Sequence, residues 1–451
     1  MPRRQTAVWQ HSKSIHNRFS FQTIITWLAI VSLRNALNAP NDKSRGAVVQ
    51  WIFARGAQAT SLQVYRRQMT STLNNTNREA ELAAVVECSL AAAKKVSKAD
   101  PTKTRVAVCM SGGVDSSTTA LLLQQQGYDI VGVTGWLIKS GSRCCDTGMI
   151  DAARVCEQLG IEHFAVDLRE LFKHEIMDNF PKSYAAARTP LPCSMCNTVI
   201  KWGALLNYSK KHLGAQYMAT GHYGRVERTP DGVRLARAAD RRKDQSYVLW
   251  GLTKEQLEQT FLPLGDYTKD QIRTIAEEND LVVAKRPDSQ DLCFIPEGTT
   301  NQQYLANFLE EKPGAILHVQ TGEMIGTHKG THNYTIGQRR GLGIAWPQPL
   351  YVTGIDPDMR IVYVGPPETL LRRDLTGSQV NWLTSQAPNE PFEAMAKIRY
   401  NSAVQKALIT PLPEDRVHVE FEQPQPAITP GQVLGIYDST DTYLLGGAWI
   451  D

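Results

Sequence analysis

A glycine- and serine-rich string early in the chain combines the residue types that bind phosphate groups. It runs Ser111, Gly112, Gly113, Val114, Asp115 and Ser116. Glycines let backbone amides approach a phosphate closely, and a helix beginning at the string would add positive potential. The Ser116 hydroxyl can donate to a phosphate, and the Asp115 carboxylate can help to hold Mg²⁺ there. The string predicts a nucleotide-phosphate site; the alternative is a glycine turn followed by an ordinary helix cap.

This string lacks the lysine of the Walker loop, which argues against transfer of the γ-phosphate. It looks like the pyrophosphatase-type loop of ATP enzymes that cleave between the α- and β-phosphates. Such enzymes adenylate a carbonyl oxygen and release pyrophosphate, so that AMP becomes the leaving group. The string therefore predicts activation of an oxygen by adenylation.

Three cysteines in two places indicate a second kind of chemistry. Cys193 and Cys196 form a Cys-x-x-Cys pair that opens a predicted helical stretch, and Cys293 lies much further along the chain. A thiol at a helix N-terminus has a lowered pKa and is more nucleophilic. Redox or sulfur-carrying thiols, ligands of a metal or an iron–sulfur cluster, and buried structural thiols all fit this spacing. The remaining cysteines are weaker candidates: Cys88, Cys144, Cys145, and Cys109 and Cys156, which we expect in the core.

Alternating strands and helices are predicted around these residues. The expected strands are 105–110, 130–136, 163–166 and 217–220. The expected helices are 115–126, 149–159 and 199–212, the first two ended by Gly127 and Gly160. Strands that alternate with helices imply right-handed crossovers and a parallel sheet, so we predict an α/β domain.

Beyond residue 297 the pattern changes to short alternating apolar runs separated by Gly and Pro. The runs are 315–319, 350–355, 361–364, 417–421 and 433–437. This pattern is typical of small all-β modules. We predict a catalytic domain at 103–299, a central β-rich domain at 300–372 and a C-terminal β domain at 373–451.

Residues 1–102 differ in composition from the rest. Before Glu79 the only acidic residue is Asp42, whereas Lys, Arg, Ser, Thr and Asn are frequent. This composition is typical of an organellar transit peptide; the alternative is a disordered or wrongly assigned leader, with Met69 as the true start. The apolar run 24–33 is too short to span a bilayer comfortably. We expect a cytoplasmic protein, or a mitochondrial or chloroplast protein if the extension is a transit peptide.

The bulk composition sets wider limits on the class of protein. At 451 residues and 42% hydrophobic content, the chain is long enough for two or three ordinary globular domains. Eight cysteines are too few for a disulfide scaffold in a chain of this length. The net charge of +4 does not by itself predict a nucleic-acid partner.

Further strings follow the phosphate loop and the cysteines in a particular order. They are 219–223 (Ala-Thr-Gly-His-Tyr), 243–247 (Lys-Asp-Gln-Ser-Tyr), 288–294, 334–343, 397–400, 429–432 and 445–447. Together they closely resemble the tRNA-specific 2-thiouridylase family, which is similar to this chain from about Thr104 to its end. The resemblance implies a Rossmann-like ATP-pyrophosphatase domain (adenine nucleotide alpha hydrolase-like) followed by two small β domains, the last a β-barrel.

The activity that the resemblance implies is thiolation at C2 of the wobble uridine in certain tRNAs, with ATP and Mg²⁺. ATP would be held by Cys109, Met110, Ser111, Gly112, Gly113, Val114, Asp115, Ser116, Gly135 and Gly221. A sulfur donor protein, either a sulfur relay protein or a cysteine desulfurase, would deliver sulfur as a persulfide on Cys293. Cys196 would be the second catalytic cysteine, with a Cys196–Cys293 disulfide afterwards.

The resemblance also implies contacts with tRNA. Leu191, Pro192 and Cys193 would meet the target base, and the other contacts would be His222, Lys243, Asp244, Gln245, Arg399, Tyr400 and Gln432. Lys243 and Arg399 can neutralise phosphates, and Tyr400 offers a stacking face for a base. The alternatives are a solvated Lys243–Asp244 pair and an ordinary strand pair at Arg399–Tyr400.

One position departs from the family. Many members carry Asp where this chain has Cys193, and a thiol cannot act as a carboxylate base. Either that role is dispensable, or a water or thiolate serves, or Cys193, Cys196 and Cys293 hold an iron–sulfur cluster with one open iron.

Two other functions compete with thiolation. A ligase of the GMP-synthetase or argininosuccinate-synthetase type could carry the same loop, but it would leave the cysteines idle. A non-catalytic RNA-binding protein is the other, and the intact loop argues against it.

Overall fold

The computed structural model describes residues 102–138, 147–230, 232–288 and 292–451. The predictions for residues 1–101, including Cys88 and the transit peptide, and those for Cys144 and Cys145 lie outside these ranges. Within them, no helix has both the length and the apolarity needed to cross a membrane.

The first part of the described chain is built on a parallel sheet. The strands of this part of the chain are β1 (Arg105–Cys109), β2 (Asp129–Trp136), β3 (Glu162–Asp167), β4 (Tyr217–Ala219), β5 (Arg225–Thr229), β6 (Gly232–Ala236) and β7 (Thr260–Phe261). Five of them form the sheet, in the order β3-β2-β1-β4-β7 with every pairing parallel. The apolar runs of β1 and β2 are buried, as a sheet covered on both faces requires. The predicted Rossmann-like parallel sheet is confirmed.

Helices connect and cover these strands. They are α1 (Val114–Gln125), α2 (Gly148–Leu159), α3 (Arg169–Phe172), α4 (Asn179–Ala185), α5 (Pro192–Met195), α6 (Leu206–Leu213), α7 (Lys254–Glu258), α8 (Lys269–Glu278) and α9 (Asn301–Leu305). As predicted, α1 and α2 are followed by Gly127 and Gly160, whose φ angles of 88° and 67° end a helix at little cost.

The predicted helical stretch at 199–212, opened by the Cys193–Cys196 pair, is confirmed, but part of it is π-helical. Helical structure begins at Pro192, continues through a π-helical segment at Cys196–Leu205, and ends with α6. A second π-helical segment, Lys173–Met177, lies between α3 and α4. Apolar periodicity does not reveal the start, because a proline at the first helical position and two cysteines precede the periodic residues.

The rest of the chain is mainly β-structure. The strands are β8 (Gly314–His318), β9 (Met324–His328), β10 (Tyr351–Asp356), β11 (Ile361–Gly365), β12 (Leu371–Trp382), β13 (Phe392–Lys397), β14 (Gln405–Leu412), β15 (Arg416–Pro426), β16 (Val433–Tyr437) and β17 (Tyr443–Ile450). Short 3₁₀ turns lie at Ser246–Leu249, Thr331–Asn333 and Pro367–Leu370. The first four of these strands form one sheet, in the order β10-β11-β8-β9. The other six close into a barrel in which β12 pairs with both β15 and β17, as the predicted C-terminal β-barrel requires.

A hairpin from the first part of the chain extends the barrel sheet. The strands β5 and β6 pair with each other, and β6 pairs with β17 through Ala236–Tyr443 and Leu235–Leu444. The C-terminal sheet therefore takes strands from both sides of the predicted domain limit at residue 373. Because these pairings are hydrogen-bonded ladders, they hold the barrel against the catalytic part of the protein.

Candidate active site

The phosphate string lies at the carboxyl end of β1. There the sheet order changes direction between β1 and β4, which is where open α/β sheets bind ligands. Ser111 N–H donates to Ser116 Oγ at 3.2 Å, and the Ser116 and Ser117 hydroxyls donate to the Gly113 carbonyl at 3.2 and 2.9 Å. No described side chain caps α1, so the amides of its first turn are available to an anion.

Two glycines let other segments press against this loop. Gly112 has a φ of 72°, and a Cβ there would collide with the Gly148 carbonyl of α2. A Cβ at Gly221, just after β4, would lie 2.8 Å from Asp115 C and Ser116 N. The shape of the phosphate loop therefore depends on the missing side chains at both positions.

The other residues expected near ATP lie in or beside the same strands. Met110 is buried, and its N–H donates to the Val133 carbonyl at 2.8 Å. Gly135 lies near the end of β2, where a Cβ would meet the Leu137 side chain at 3.2 Å. Cys109 ends β1 and is half-buried rather than fully in the core, whereas Cys156 is buried as predicted.

An ion-pair network joins the phosphate loop to the segment that precedes Cys293. The Lys269 ammonium lies 2.7 Å from one Asp115 carboxylate oxygen and 2.9 Å from Asp288 Oδ1. Asp288 also pairs with Lys243 at 3.1 Å and with Arg273 at 2.7 Å. These cations hold the pKa of the Asp288 carboxyl below its usual value, against the opposing effect of burial. The network thus connects residues that are far apart in sequence.

A second cation contacts the loop backbone directly. Arg286 donates to the Gly112 carbonyl and to Thr147 Oγ1, both at 2.9 Å, and it pairs with Asp151. Tyr223 adds a further contact to the loop, since its hydroxyl donates to Asp115 Oδ1 at 2.8 Å. The loop is therefore held by groups from three other parts of the chain.

The three candidate cysteines lie around one region of the protein. Cys196 and Cys293 are both half-buried and pack against the same hydrophobic cluster. The buried members of that cluster are Phe172, Ile176, Phe180, Tyr184, Ile200, Phe294, Ile295, Tyr304 and Leu305. Cys193 is exposed and lines a cavity of about 600 Å³ together with Leu292 and Ile295, the neighbours of Cys293. No disulfide joins these three thiols.

The expectation of a lowered thiol pKa is wrong for Cys193. The surrounding protein desolvates the thiol and raises its pKa, although the residue is exposed at the cavity, and the nearby Lys201 ammonium acts in the opposite direction. Burial likewise raises the pKa of the Cys109 thiol, again opposed by Lys201. In the described ranges, no three His, Cys, Asp or Glu side chains converge as a metal site requires.

The half-buried Lys201 and the buried His222 form a polar pair beside these thiols. The Lys201 ammonium donates to Asn197 Oδ1 at 2.8 Å and lies 3.3 Å from His222 Nε2. Because an ammonium can only donate, Nε2 accepts, and Nδ1–H of the neutral ring then donates to Thr220 Oγ1 at 2.8 Å. Burial and Lys201 together hold the pKa of His222 well below its usual value. His222 is therefore held as a neutral ring between Lys201 and Thr220.

The predicted tRNA contacts at 243–245 do not form a uniform surface. Asp244 is buried and accepts from Arg237 Nε at 2.8 Å, so the alternative of a solvated Lys243–Asp244 pair is wrong. Gln245 Oε1 accepts from Tyr223 N–H at 3.0 Å. Lys243 has 41% of its side chain exposed, while its ammonium pairs with Asp288 at 3.1 Å.

The predicted contacts on the barrel lie near its junction with the catalytic part. Arg399 and Tyr400 follow the end of β13, so the alternative of an ordinary strand pair is wrong. The Arg399 guanidinium donates to the Ala427 carbonyl, and to Thr429 Oγ1 at 3.1 Å. The Tyr400 ring is half-buried, with its centroid 6.4 Å from that of Tyr247.

The segment that leads into Cys193 is held by the barrel. Gln432 Nε2 donates to the Thr189 carbonyl at 2.8 Å, and Thr189 N–H donates to the Pro430 carbonyl at 2.8 Å. Leu191 is half-buried against the main core, and Pro192 is buried at the start of α5. The three residues expected at the target base therefore lie on a segment fixed by the C-terminal domain.

Comparisons with known proteins agree with this geometry. Three family models match the chain: a tRNA methyl transferase HUP domain over residues 104–297, a tRNA methyl transferase PRC-barrel domain over 302–366, and an aminomethyltransferase beta-barrel domain over 372–450. A tRNA-specific 2-thiouridylase from Gloeothece citriformis is 45% identical over 77% of this chain and 99% of its own length. One from Picosynechococcus is 46% identical over 76% of this chain and 97% of its own length. The chain belongs to the tRNA-specific 2-thiouridylase family.

The similarity of this chain to the solved structure described next is limited. A U34-tRNA thiolase from Methanococcus maripaludis, solved with its [4Fe-4S] cluster, is 22% identical with a TM-score of 0.29, and the match covers 46% of this chain and 67% of that chain. A match at this level carries no inference about the present site.

Several residues of this 2-thiouridylase site were not found by sequence reasoning. Lys269, Arg286 and Lys201 lie outside the glycine and cysteine motifs; Lys269 and Arg286 come from distant parts of the chain, and Lys201 lies in the π-helical segment that begins at Cys196. The sequence held one indirect signal, since a phosphate loop without its own lysine needs a cation from elsewhere. Nothing in the spacing says which of the chain's lysines and arginines supplies it.

Proposed function

We propose that the chain catalyses the ATP-dependent 2-thiolation of the wobble uridine of tRNA. Membership of the 2-thiouridylase family, shown by relatives that match along nearly their whole length, carries this proposal. The phosphate loop without a Walker lysine supports it, because thiolation needs the C2 oxygen to be converted into a good leaving group. Two half-buried cysteines against one hydrophobic cluster supply the sulfur chemistry that other adenylating ligases would not use.

The first step is adenylation. The amides at the start of α1 and the Ser116 hydroxyl would bind the phosphates of ATP, and the Asp115 carboxylate would provide an oxygen ligand of the kind that Mg²⁺ prefers. The uridine C2 oxygen then forms a bond to the α-phosphorus, and the bond between that phosphorus and the β-bridging oxygen breaks. The electron pair leaves with pyrophosphate.

The second step transfers sulfur. We propose that a donor protein loads Cys293 as a persulfide, whose terminal sulfur attacks C2 and displaces AMP. The Cys196 thiolate then attacks the Cys293 sulfur, so that a Cys196–Cys293 disulfide forms and the 2-thiouridine leaves with the electron pair. The sulfane sulfur is reduced and the two thiols are oxidised, and an external dithiol must reduce the disulfide before the next turnover.

The alternative sulfur route uses an iron–sulfur cluster held by Cys193, Cys196 and Cys293. The described residues do not fit it in this geometry, because no three metal-binding side chains converge. The proposed mechanism therefore contains no cluster step, and we propose that Cys193 lines the cavity that receives the base. Iron and sulfide analysis of protein prepared without oxygen tests this choice: near-stoichiometric iron that is lost in Cys193→Ser would favour the cluster.

The tRNA contacts follow from exposure and charge. We propose that Lys243, Arg399 and Tyr400 touch the anticodon arm, because each retains exposed surface around the cysteine region. His222 and Asp244 are buried, so we propose that they act by holding neighbouring residues in place rather than by touching tRNA. Lys243→Ala should weaken tRNA binding and reduce its salt dependence, whereas Asp244→Asn should act mainly on stability.

Nucleoside analysis provides the direct test of function. The full chain is incubated with ATP, Mg²⁺, unmodified tRNA and a persulfide donor, and the digested tRNA is analysed for 2-thiouridine. Cys196→Ser and Cys293→Ser should each abolish the product while tRNA binding survives, and Cys156→Ala serves as a matched control because it lies in the core of the parallel-sheet domain. ATP turnover that depends on tRNA but yields no 2-thiouridine would overturn the proposal. A labelled methyl group transferred from S-adenosylmethionine would instead support the activity named in the family models.

Location and domain limits are also proposals. We propose domains at 103–299, 300–372 and 373–451, and a cytoplasmic location unless residues 1–102 direct the protein to mitochondria or chloroplasts. Fusing residues 1–102 to a fluorescent protein tests the second point, since a diffuse cytoplasmic signal would exclude the organellar alternative.

A further inference from the structure

Lys269 lies beside the phosphate loop, and the steps proposed above give it no role. Its side chain is only 8% exposed, and its ammonium lies 2.7 and 2.8 Å from the two oxygens of Asp115 and 2.9 Å from Asp288. Asp115 belongs to the first turn of α1, directly beside the amides that would bind phosphate. Burying an ammonium between two carboxylates is costly unless the charges are needed, so this arrangement calls for an explanation.

The charges around Lys269 do not balance. Asp115 and Asp288 supply two carboxylates, while Lys269, Lys243 and Arg273 supply three cations within 3.1 Å of them. Asp240, whose carboxylate accepts from the Lys269 backbone N–H at 3.4 Å, adds a third carboxylate, and Arg242 pairs with it. One positive charge is therefore in excess beside the phosphate loop. When the Asp115 carboxylate turns to Mg²⁺, the excess grows, and a polyanion is the ligand that compensates it.

We propose that Lys269 binds the β- and γ-phosphates of ATP and holds the pyrophosphate that leaves. Without nucleotide its ammonium bridges Asp115 and Asp288; with Mg–ATP it exchanges the Asp115 carboxylate for phosphate oxygens and keeps Asp288. It thus supplies, from the start of α8, the cation that the loop itself lacks. The proposal rests on the adenylation step of the proposed function and identifies a residue for it.

In the adenylation step, Lys269 would act only on the leaving group, pyrophosphate. As the C2 oxygen bonds to the α-phosphorus, negative charge accumulates on the bridging oxygen that departs with the β-phosphate. An ammonium already oriented at that site stabilises this charge without reorganisation. AMP carries neither of the phosphates that Lys269 contacts, so its binding is independent of this residue.

Calorimetric titration of the full chain with magnesium pyrophosphate and, separately, with AMP tests the proposal. Lys269→Met should weaken pyrophosphate binding about 10- to 100-fold, the range for loss of a charge-assisted hydrogen bond, and leave AMP binding within about twofold. Lys269→Arg should restore most of the affinity. Lys173→Met is the matched control, because it also removes a lysine that pairs with an aspartate, Asp178 at 2.9 Å, but lies outside the Asp115–Asp288 network, and it should change pyrophosphate binding by less than about threefold.

Asp288→Asn distinguishes the contribution of the Lys269 ammonium to pyrophosphate binding from that of the ion-pair network around it. This change removes a partner of Lys269 but keeps the cation, so pyrophosphate affinity should hold or increase. Equal weakening of AMP and pyrophosphate in Lys269→Met, or a loss in Asp288→Asn as large as in Lys269→Met, would overturn the proposal. Neither titration involves tRNA or sulfur, so absence of 2-thiouridine would refute the proposed function while leaving this result interpretable.

Discussion

Replacing Gly221 with alanine tests whether the phosphate loop depends on close approach by the segment after β4. The new Cβ would lie 2.8 Å from Asp115 C and Ser116 N and 2.9 Å from Asp115 Cβ. Carbon atoms pack at about 3.5 Å or more, so one of the two backbones must move by roughly 0.7 Å. Two of the three neighbours are backbone atoms of α1, which cannot rotate away. The displaced atoms are those that would hold the phosphates and Mg²⁺.

A misplacement of this size is expected to reduce kcat/KM for ATP about 10- to 100-fold, since an error near 1 Å in a reacting geometry costs about two orders of magnitude. Pyrophosphate release in the presence of tRNA is the assay. Gly224→Ala is the control, because its Cβ would meet the nearest atom, Leu262 Cδ1, at 3.4 Å, an ordinary contact. Equal activity of the two variants, at equal thermal stability, would refute the role assigned to Gly221.

Three further perturbations act on other parts of the site. Asp244→Asn leaves the buried Arg237 guanidinium with a neutral partner at its Nε and should lower the free energy of unfolding by about 3 kcal/mol in chemical denaturation. Burial lowers the pKa of His163 to about 4, so a stabilisation present at neutral pH should be lost as pH falls from about 6.5 to about 4, by up to roughly 3 kcal/mol, and His163→Gln should flatten that part of the stability–pH curve. Gln432→Ala removes a hydrogen bond to Thr189 worth about 1 kcal/mol and should slow thiolation about fivefold without a large change in the thermal midpoint.

The controls for these changes lie close by. As the control for Asp244→Asn, Asp266→Asn removes a carboxylate that is 76% exposed and 3.8 Å from Arg225, so it should leave stability nearly unchanged.

The direction of the pH dependence for His163 follows from protonation. Below pH 6.5 the His163 side chain of the unfolded chain binds a proton, whereas in the folded protein it stays neutral until about pH 4. A stability–pH curve of identical slope in wild type and His163→Gln would contradict that assignment.

Local signals predicted the fold well where they are strong. The glycines after α1 and α2, the apolar runs of β1 and β2, and the short alternating runs of the C-terminal part all correspond to observed elements. The Cys-x-x-Cys pair was predicted to open the helical stretch, and α5 does begin there at Pro192, although the apolar periodicity alone begins only at residue 199. The hairpin of β5 and β6 was missed, because it pairs with β17, and pairing across two hundred residues leaves no local trace in the sequence.

The residues of the candidate site also fall into two groups, those that local motifs predict and those that come from distant segments. The loop from Ser111 to Ser116 was found because glycine, hydroxyl and carboxylate groups stand next to one another in the chain. Lys269 contacts Asp115 across a separation of 154 residues, and a surface lysine and a buried one look alike in a sequence. Similarly, Cys193 reads as a helix-terminal thiol, yet its pKa is set by the protein packed around it from other segments.

The barrel's connections bear on how tRNA recognition is linked to chemistry. One strand of the barrel, β17, is hydrogen-bonded to β6, which leads to Lys243 and its ion pair with Asp288. Another part holds Thr189, a few residues before Cys193, through Pro430 and Gln432. A domain tied at both places cannot rotate freely as a hinged tRNA-binding module would. The segment before Cys193 and the Lys243–Asp288 pair are therefore held by one continuous framework. If Leu191 to Cys193 meet the target base, as proposed, changes at Gln432 should alter the rate of sulfur transfer more than the affinity for tRNA.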